Sequence, residues 1–412
     1  DDGCFYSHYW GNLHQLLEEF PYPINWVWMY SKSDQISFKG MVSLRDRCNR
    51  KSPQKHRYFI LEEFLTPTLF FKCIKYYLKF FFRGLALKNI CKEFSFSGSK
   101  INFFPILKYD WKSSFFGKHA IEGVILSLVF DSMAKTLPAN PWGLFMWENQ
   151  PYELALISAW KREQKEIKIL AHLHTVLRAM DLRFFHDERV FKNKEPGNFP
   201  TADKVGLNCG YAYSMLKGSG YSIDQITEIE ALRFLKLKGN FGSQKRGKKM
   251  SDRTLLVLTG FIDFEAKFQL RLLQEAADQN GLAGYEKIII KSHPDLPLEK
   301  FLKTLNPSYR FTLTFQPLGD LLPIADTVFC SNSTTALLEA AYFGLPVIVM
   351  GSENHLNLNP LYGSSKVKFA TDSKTLCEEL KNPSELDFSE DYFYLDDKLA
   401  LWRKLFQDQQ EI

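Results

Sequence analysis

Two strand-to-turn transitions, KIIIKSHPDLP at 287–297 and ADTVFCSNSTTALLEAAYFGLPVIV at 325–349, constrain this chain more than any other feature. The first is an apolar strand, Ile288–Ile290, ending in Lys291-Ser292-His293-Pro294. The second reads as a strand over Thr327–Cys330, a polar turn Ser331-Asn332-Ser333-Thr334-Thr335, and a helix over Ala336–Phe343. Gly344 stops that helix and Pro346 opens the next strand. In a parallel sheet both turns fall on the edge formed by the carboxyl ends of the strands, where open α/β sheets take their ligands. A helix start preceded by hydroxyls, with a Lys and a His beside it, is chemistry for an anion.

The surrounding pattern extends this into a domain. TLLVLTG (254–260) gives a strand Leu255–Leu258, a turn at Gly260 and a helix over Glu265–Asn280. Strands Ile288–Ile290, Arg310–Thr314, Thr327–Cys330 and Val347–Met350 follow, with helices between, which predicts a Rossmann-like unit. KGNFGSQKRGKKMSDR (238–253) reads as a linker. Before it, strands are expected at Asn25–Met29, Gly143–Trp147, Ile167–Ala171, Lys204–Leu207 and Ile226–Ala231. Helices are expected at Gly11–Phe20, Pro67–Phe82, Lys118–Lys135, Tyr152–Glu166 and Tyr211–Gly218. The fold class is therefore α/β. The expected domains are 1–240, 241–385 and 386–412, the last a closing amphipathic helix that packs back.

At 412 residues and 45 % apolar content the chain has room for two cores. A net charge of +5 is too small to imply a nucleic-acid partner. Seven scattered cysteines without a CxxC pair read as reduced thiols. The chain opens Asp-Asp-Gly, without Met or a signal peptide, consistent with a segment of a longer chain. The sequence reading is cytoplasmic, with peripheral contact at an inner membrane. That contact is expected from FLTPTLFFKCIKYYLKFFFRGLALK (64–88), where Lys72, Lys75, Lys79 and Arg83 interrupt an aromatic run at helical spacing. Such a helix lies on an anionic surface or is buried with snorkelling lysines.

Around the two turns, Lys291 offers a point charge, His293 a hydrogen bond to phosphate or ribose, and Pro294 a fixed bend. Ser331, Ser333, Thr334 and Thr335 supply four hydroxyls where a helix cap needs one; Asn332 completes the turn. Glu339 either reaches a ribose or is a solvated helix residue. Gly260 either permits close backbone approach to a ligand or is an ordinary turn glycine.

The first half offers three further segments. GLFMWENQPYELALISAWK (143–161) places Glu148, Asn149 and Gln150 at a strand end, with Pro151 and Glu153 as helix-start chemistry. IKILAHLHTVLRAMDLRFF (167–185) carries His172 and His174. No third ligand at useful spacing supports a metal, so His174 is a candidate substrate or acid/base contact, against a buried polar His. Arg178 and Arg183 could meet an acidic sugar. In DQITEIEALRFLKL (224–237), Glu228 and Glu230 share one strand face with Ile229 on the other, and Arg233 joins the Ile229 side only if the strand continues past Ala231. Two carboxylates on one face suit chemistry or pairing with Arg.

KSHP followed by SNSTTALLEAAYFGLPVIV resembles the His-Pro and serine/threonine motifs of bacterial GT-B transferases that use CMP-activated sugars, the sialyltransferases and Kdo transferases of surface polysaccharides. The resemblance covers 255–350. It implies two Rossmann-like domains facing a cleft, 1–240 for acceptor and catalysis and 241–385 for the nucleotide, with His293, Pro294, Ser331, Ser333 and Thr334 as nucleotide ligands and Lys291 adjacent. Gly260, Asn332, Thr335 and Glu339 are assigned to the same donor site. The segments around Glu148, His174 and Glu230 resemble a family related to retaining β-Kdo transferases. That likeness implies an acidic nucleophile and a second acid, with Glu148 and Glu230 as the candidates, His174 in support, and Gln150, Arg178 and Arg233 binding substrate. The implied partners are a nucleotide sugar, CMP-Kdo first, and a glycan acceptor, with no cofactor. No DxD-type motif calls for a metal. A sialyltransferase, an NDP-sugar GT-B enzyme and a non-catalytic assembly subunit remain open.

Overall fold

The computed structural model describes residues 7–32, 36–52, 55–87, 89–95, 98–192, 199–243, 253–296, 298–303, 311–351, 356–363, 367–384 and 386–408. Most of the expected linker, 244–252, and Arg310 lie outside them. Contacts group the chain into two compact units. The first comprises Asp1–His172, Glu188–Gly206 and Asp224–Thr227. The second comprises Leu173–Asp187, Leu207–Ile223 and Glu228–Ile412.

The α/β expectation holds. In the first unit, β1 (Ile24–Trp28) pairs in parallel with β2 (His56–Ile60). A separate four-stranded sheet runs β3 (Trp142–Met146), β4 (Lys168–His172), β5 (Lys204–Leu207) and β6 (Ile226–Glu228) in that order. The helix Pro151–Glu163 returns the chain from β3 to its parallel neighbour β4. Pro151 starts it where no intrahelical N–H is needed. Aromatic helices Pro67–Ala86 and Phe104–Phe116 pack with Lys118–Thr136.

The second unit is built on β7 (Arg253–Leu258), β8 (Tyr285–Lys291), β9 (Phe311–Thr314), β10 (Thr327–Cys330), β11 (Val347–Met350) and β12 (Lys368–Ala370). Their spatial order is β12-β11-β10-β7-β8-β9, and every neighbouring pair is parallel. This is the doubly wound Rossmann order, which reverses direction between its first and fourth strands, β7 and β10. The apolar runs LLVL, VFC and VIVM are buried, as parallel strands covered on both faces must be. The helices Asp263–Asp278 and Ser373–Lys381 pack together beside this sheet. The C-terminal helix Ala400–Gln407 packs back within the same unit, with Trp402 fully buried.

β6 ends at Glu228 rather than at Ala231, and the chain then winds through a 3-10 segment Leu232–Leu237. The alternation of Glu228, Glu230 and the apolar residues between them therefore does not describe one strand face.

Candidate functional site

The strand ends at the reversal point are in register. Leu258 of β7 lies opposite Lys291 of β8 on one side and Cys330 of β10 on the other. Three turns therefore leave one sheet edge side by side: Thr259-Gly260, Ser292-His293-Pro294 and Ser331–Thr335. Both expected motifs share the crevice edge at which such sheets take ligands.

Short polar contacts tie these turns together. The Thr259 N–H donates to the Lys291 carbonyl at 3.2 Å, and the His293 N–H donates to Thr259 Oγ1 at 3.2 Å. Gly260 faces the hydroxyl turn so closely that a Cβ there would sit 2.5 Å from Ser333 Oγ and 2.8 Å from Ser331 Oγ. Glycine is required here for space, since its φ is not in the left-handed range. Ser331, Asn332 and Ser333 are buried. Ser331 Oγ donates to Glu265 Oε2 at 3.1 Å, and Asn332 Nδ2 donates to the Leu356 carbonyl at 2.9 Å. The helix after the turn, Ala336–Tyr342, has seven residues. Thr334 Oγ1 accepts its first N–H, from Ala336, at 3.3 Å, and Thr335 makes no capping bond.

Cations gather round these turns. The Lys291 ammonium donates to the Gln316 carbonyl at 2.7 Å. Burial holds its pKa below the usual lysine value; Glu339 pulls it back and Lys236 pushes it further down. Glu339 is buried and ion-paired to Lys236 at 2.8 Å, so it is not a solvated helix residue. Burial also lowers the His293 pKa. Asp295 opposes that shift, while Arg233 and Lys291 reinforce it. His293 Nδ1 accepts the Asp295 N–H at 3.2 Å, which puts the proton of the neutral ring on Nε2 as a donor. Pro294 is exposed at this bend.

Arg178 comes from a distant part of the chain. Its Nη2 donates to the Ser333 carbonyl at 2.8 Å across 155 residues of sequence. Burial lowers its pKa, while Asp181 and Glu265 counter through their charge. Asp181 is taken up by Arg183, so Arg178, Arg233, Lys236 and Lys291 stand against three carboxylates, Glu265, Asp295 and Glu339, an excess of one positive charge before His293 is counted. The edge suits an anionic ligand.

The sequence reading missed Glu265 and Gln269. They lie one turn apart on the helix Asp263–Asp278 and are buried. Gln269 Nε2 donates to the carbonyls of Leu258 (3.3 Å) and Phe329 (3.0 Å), joining β7 to β10 where they part. Glu265 holds Ser331. Their spacing on one helical face was legible; their partners were not.

The remaining expected residues are placed differently. Glu230 is 1 % exposed, and its two oxygens accept the N–H groups of Leu401 (2.7 Å) and Trp402 (3.1 Å). It caps the C-terminal helix, and this bonding accounts for its burial. Burial raises its pKa, and the two capping bonds oppose that shift. Glu228 is exposed and accepts the Tyr394 hydroxyl at 2.7 Å. His174 is buried in the second unit, in the segment that also carries Arg178. His172, in the first unit, stacks obliquely on Trp10 with ring centroids 5.2 Å apart. Glu148 and Gln150 belong to the first unit and are half-buried after β3. Asn149 between them holds a left-handed φ of 57°, a conformation Asn tolerates better than most residues. Glu153 fixes this turn: its oxygens accept the N–H groups of Glu148 (2.9 Å) and Asn149 (3.0 Å). Burial pushes its carboxyl up to about 7, against the pull of those bonds.

No family model matches the chain, and no curated protein matches it. Among solved structures, S. aureus MnaA with UDP is 12 % identical with a TM-score of 0.48, covering 95 % of this chain and 96 % of its own. Methanocaldococcus jannaschii UDP-GlcNAc 2-epimerase with UDP-GlcNAc and UDP is 13 % identical with a TM-score of 0.46, covering 72 % and 82 %. Arabidopsis thaliana UGT89C1 with UDP-L-rhamnose is 13 % identical with a TM-score of 0.45, covering 95 % and 88 %. Likeness at this level carries no argument about activity, and the fold assignment rests on the strand order and register.

Proposed function

We propose that the protein is a GT-B glycosyltransferase that binds a nucleotide-activated sugar at the β7/β8/β10 edge and transfers the sugar to a glycan acceptor. The favoured donor is a CMP-linked ulosonic acid, Kdo first. In this reading residues 241–385 form the donor domain, 386–412 close it, and 1–240 supply the acceptor side. The supporting observation is the alignment of Leu258, Lys291 and Cys330, which sets Gly260, His293 and the buried hydroxyls side by side among four cations.

Transfer breaks the bond between the anomeric carbon and the donor phosphate oxygen. Negative charge builds on the departing nucleotide phosphate while the sugar becomes oxocarbenium-like. His293 Nε2–H, the hydroxyls of Ser333, Thr334 and Thr335 and the Lys291 ammonium are in place before the reaction, so they stabilise that charge without reorganising. Each key donor of this kind contributes about 3–4 kcal/mol. A carboxylate either accepts the proton of the acceptor hydroxyl or attacks the anomeric carbon. Glu148 is assigned that role, since the oxygens of Glu230 already serve a helix end. Arg178, Arg233 and His174 are assigned to the acidic sugar, and Gln150 to the acceptor.

The test is product analysis by mass spectrometry with CMP-Kdo, a CMP-linked nine-carbon acid and UDP- and GDP-sugars, each with a synthetic acceptor. The expected result is CMP release matched by addition of one ulosonic acid, abolished by Glu148→Gln without loss of nucleotide binding. Transfer from a UDP-sugar alone overturns the donor assignment. Nucleotide binding without transfer from any donor overturns the enzymatic one.

A further inference from the structure

The first unit carries a surface independent of the nucleotide edge. No helix among the described residues is long and apolar enough to cross a membrane, yet helix Pro67–Ala86 exposes Phe70 (65 %), Phe71 (71 %), Phe82 (63 %) and Leu85 (53 %). Neighbouring helix Phe104–Phe116 exposes Ile106 (76 %) and Tyr109 (74 %).

At about 100° per residue the first helix divides into three arcs. One contains Leu69, Cys73, Tyr77, Phe81 and Gly84, and it packs inward: Leu69 and Gly84 are buried and the other three partly so. Phe81 meets Phe116 edge-on at 5.2 Å, and a Cβ at Gly84 would sit 2.7 Å from Phe116. This seam fixes which way the helix faces. The second arc holds Phe70, Phe71, Ile74, Leu78, Phe82 and Leu85, all exposed. The third holds Lys72, Lys75, Lys79 and Arg83, all exposed, directly beside the apolar arc. The helix contains no Asp or Glu. The neighbouring helix adds exposed Lys108 and Lys112 and one exposed acid, Asp110, for a net of one further cation.

An apolar strip of this size on a soluble surface marks a docking site. A flanking arc of cations with no acid is the arrangement of helices that lie in the interface of an anionic bilayer, with rings among the acyl chains and ammonium groups at the phosphates. A second copy of this chain would present the same cations to one another, which disfavours self-association through this face. We propose that helices Pro67–Ala86 and Phe104–Phe116 form a peripheral docking surface for an anionic lipid bilayer.

The experiment is co-sedimentation of the full chain with phosphatidylcholine vesicles and with vesicles of equal phosphatidylcholine and phosphatidylglycerol. The expected result is binding to the anionic vesicles only. The variant Lys72→Glu/Lys75→Glu/Lys79→Glu should weaken it on the order of a hundredfold, and Phe71→Ser/Phe82→Ser by a similar factor. These side chains are exposed, so unchanged thermal melting should accompany both. Reversing Lys287, Lys374 and Lys398, exposed lysines of the second unit, should leave binding intact. Absence of binding overturns the proposal, as does equal loss in the second-unit variant. A dimer in light scattering that Phe71→Ser/Phe82→Ser dissociates also overturns it, assigning the strip to a second copy.

Discussion

Substituting Gly260 by Ala is the sharpest local perturbation of the proposed nucleotide edge. Alanine can adopt this backbone, because φ lies outside the left-handed range, so the whole effect is steric. The new methyl would lie 2.5 Å from Ser333 Oγ and 2.8 Å from Ser331 Oγ, where ordinary contact begins at 3.4 Å; the hydroxyls must retreat by about 0.9 and 0.6 Å. Both are buried, and Ser331 is held by Glu265 at 3.1 Å, so the turn has little room to yield. Overpacking of this kind costs about 1–3 kcal/mol of stability. On the proposed reading, in which these groups hold a phosphate, a displacement approaching 1 Å lowers function by about a hundredfold. Chemical denaturation would read the first quantity and calorimetric titration with CMP the second. Gly319→Ala is the control, since its methyl meets open space and both values should stay near wild type. Ser333→Ala added to Gly260→Ala relieves the nearer clash and should recover part of the stability. Full CMP affinity in Gly260→Ala would refute the claim that this glycine and the hydroxyl turn form the ligand-holding edge.

Arg178→Lys loses the guanidinium bond to the Ser333 carbonyl and should weaken CMP binding by about tenfold or more; unchanged affinity in titration would show that Arg178 does not order the turn. Glu230→Gln replaces one acceptor at the C-terminal helix with a donor facing an N–H group, so it should cost about 1–3 kcal/mol in denaturant. Its specific activity per folded molecule should persist; full stability combined with abolished transfer would instead make Glu230 the catalytic acid. For Glu153 the folded carboxyl titrates near 7, above its ordinary 4.5, so the folded state binds more protons between those values. Stability from this group is present below pH 4.5 and is lost as pH rises through 7, by about 3 kcal/mol at most. Denaturation midpoints at pH 5 and 8 should differ more for the native chain than for Glu153→Gln, and an identical difference in both would contradict the assignment.

Much of the second unit is legible in the residues. Strands Thr327–Cys330 and Val347–Met350 fall where the apolar runs place them, because strands buried on both faces need no alternation and their turns are marked by Ser, Asn, Gly and Pro. Lys204–Leu207 is equally clear. The strands His56–Ile60 and Lys368–Ala370 escape notice, since the first opens on two polar residues, His56 and Arg57, and the second has only three residues. Helix Phe104–Phe116 is hidden by Pro105, which sits at its first turn rather than breaking it. Glu230 misleads because period-two spacing continues after the backbone has left the sheet. The bond from Arg178 to Ser333 had no local signal, for it depends on how segment 173–187 joins the second unit. The hydroxyls, Lys291, His293 and Gly260 of the turns were readable from residue types; the buried Glu265 and Gln269 that hold the turns in place were not, because their partners lie on other strands.

Calorimetric titration of the full chain with CMP, UDP and GDP, repeated for His293→Ala, tests the central claim most directly. The account predicts saturable binding with CMP tightest and a clear loss in the variant, since the Nε2 donor at the end of β8 would be gone. No binding of any of the three nucleotides, or CMP affinity indifferent to His293, would contradict it.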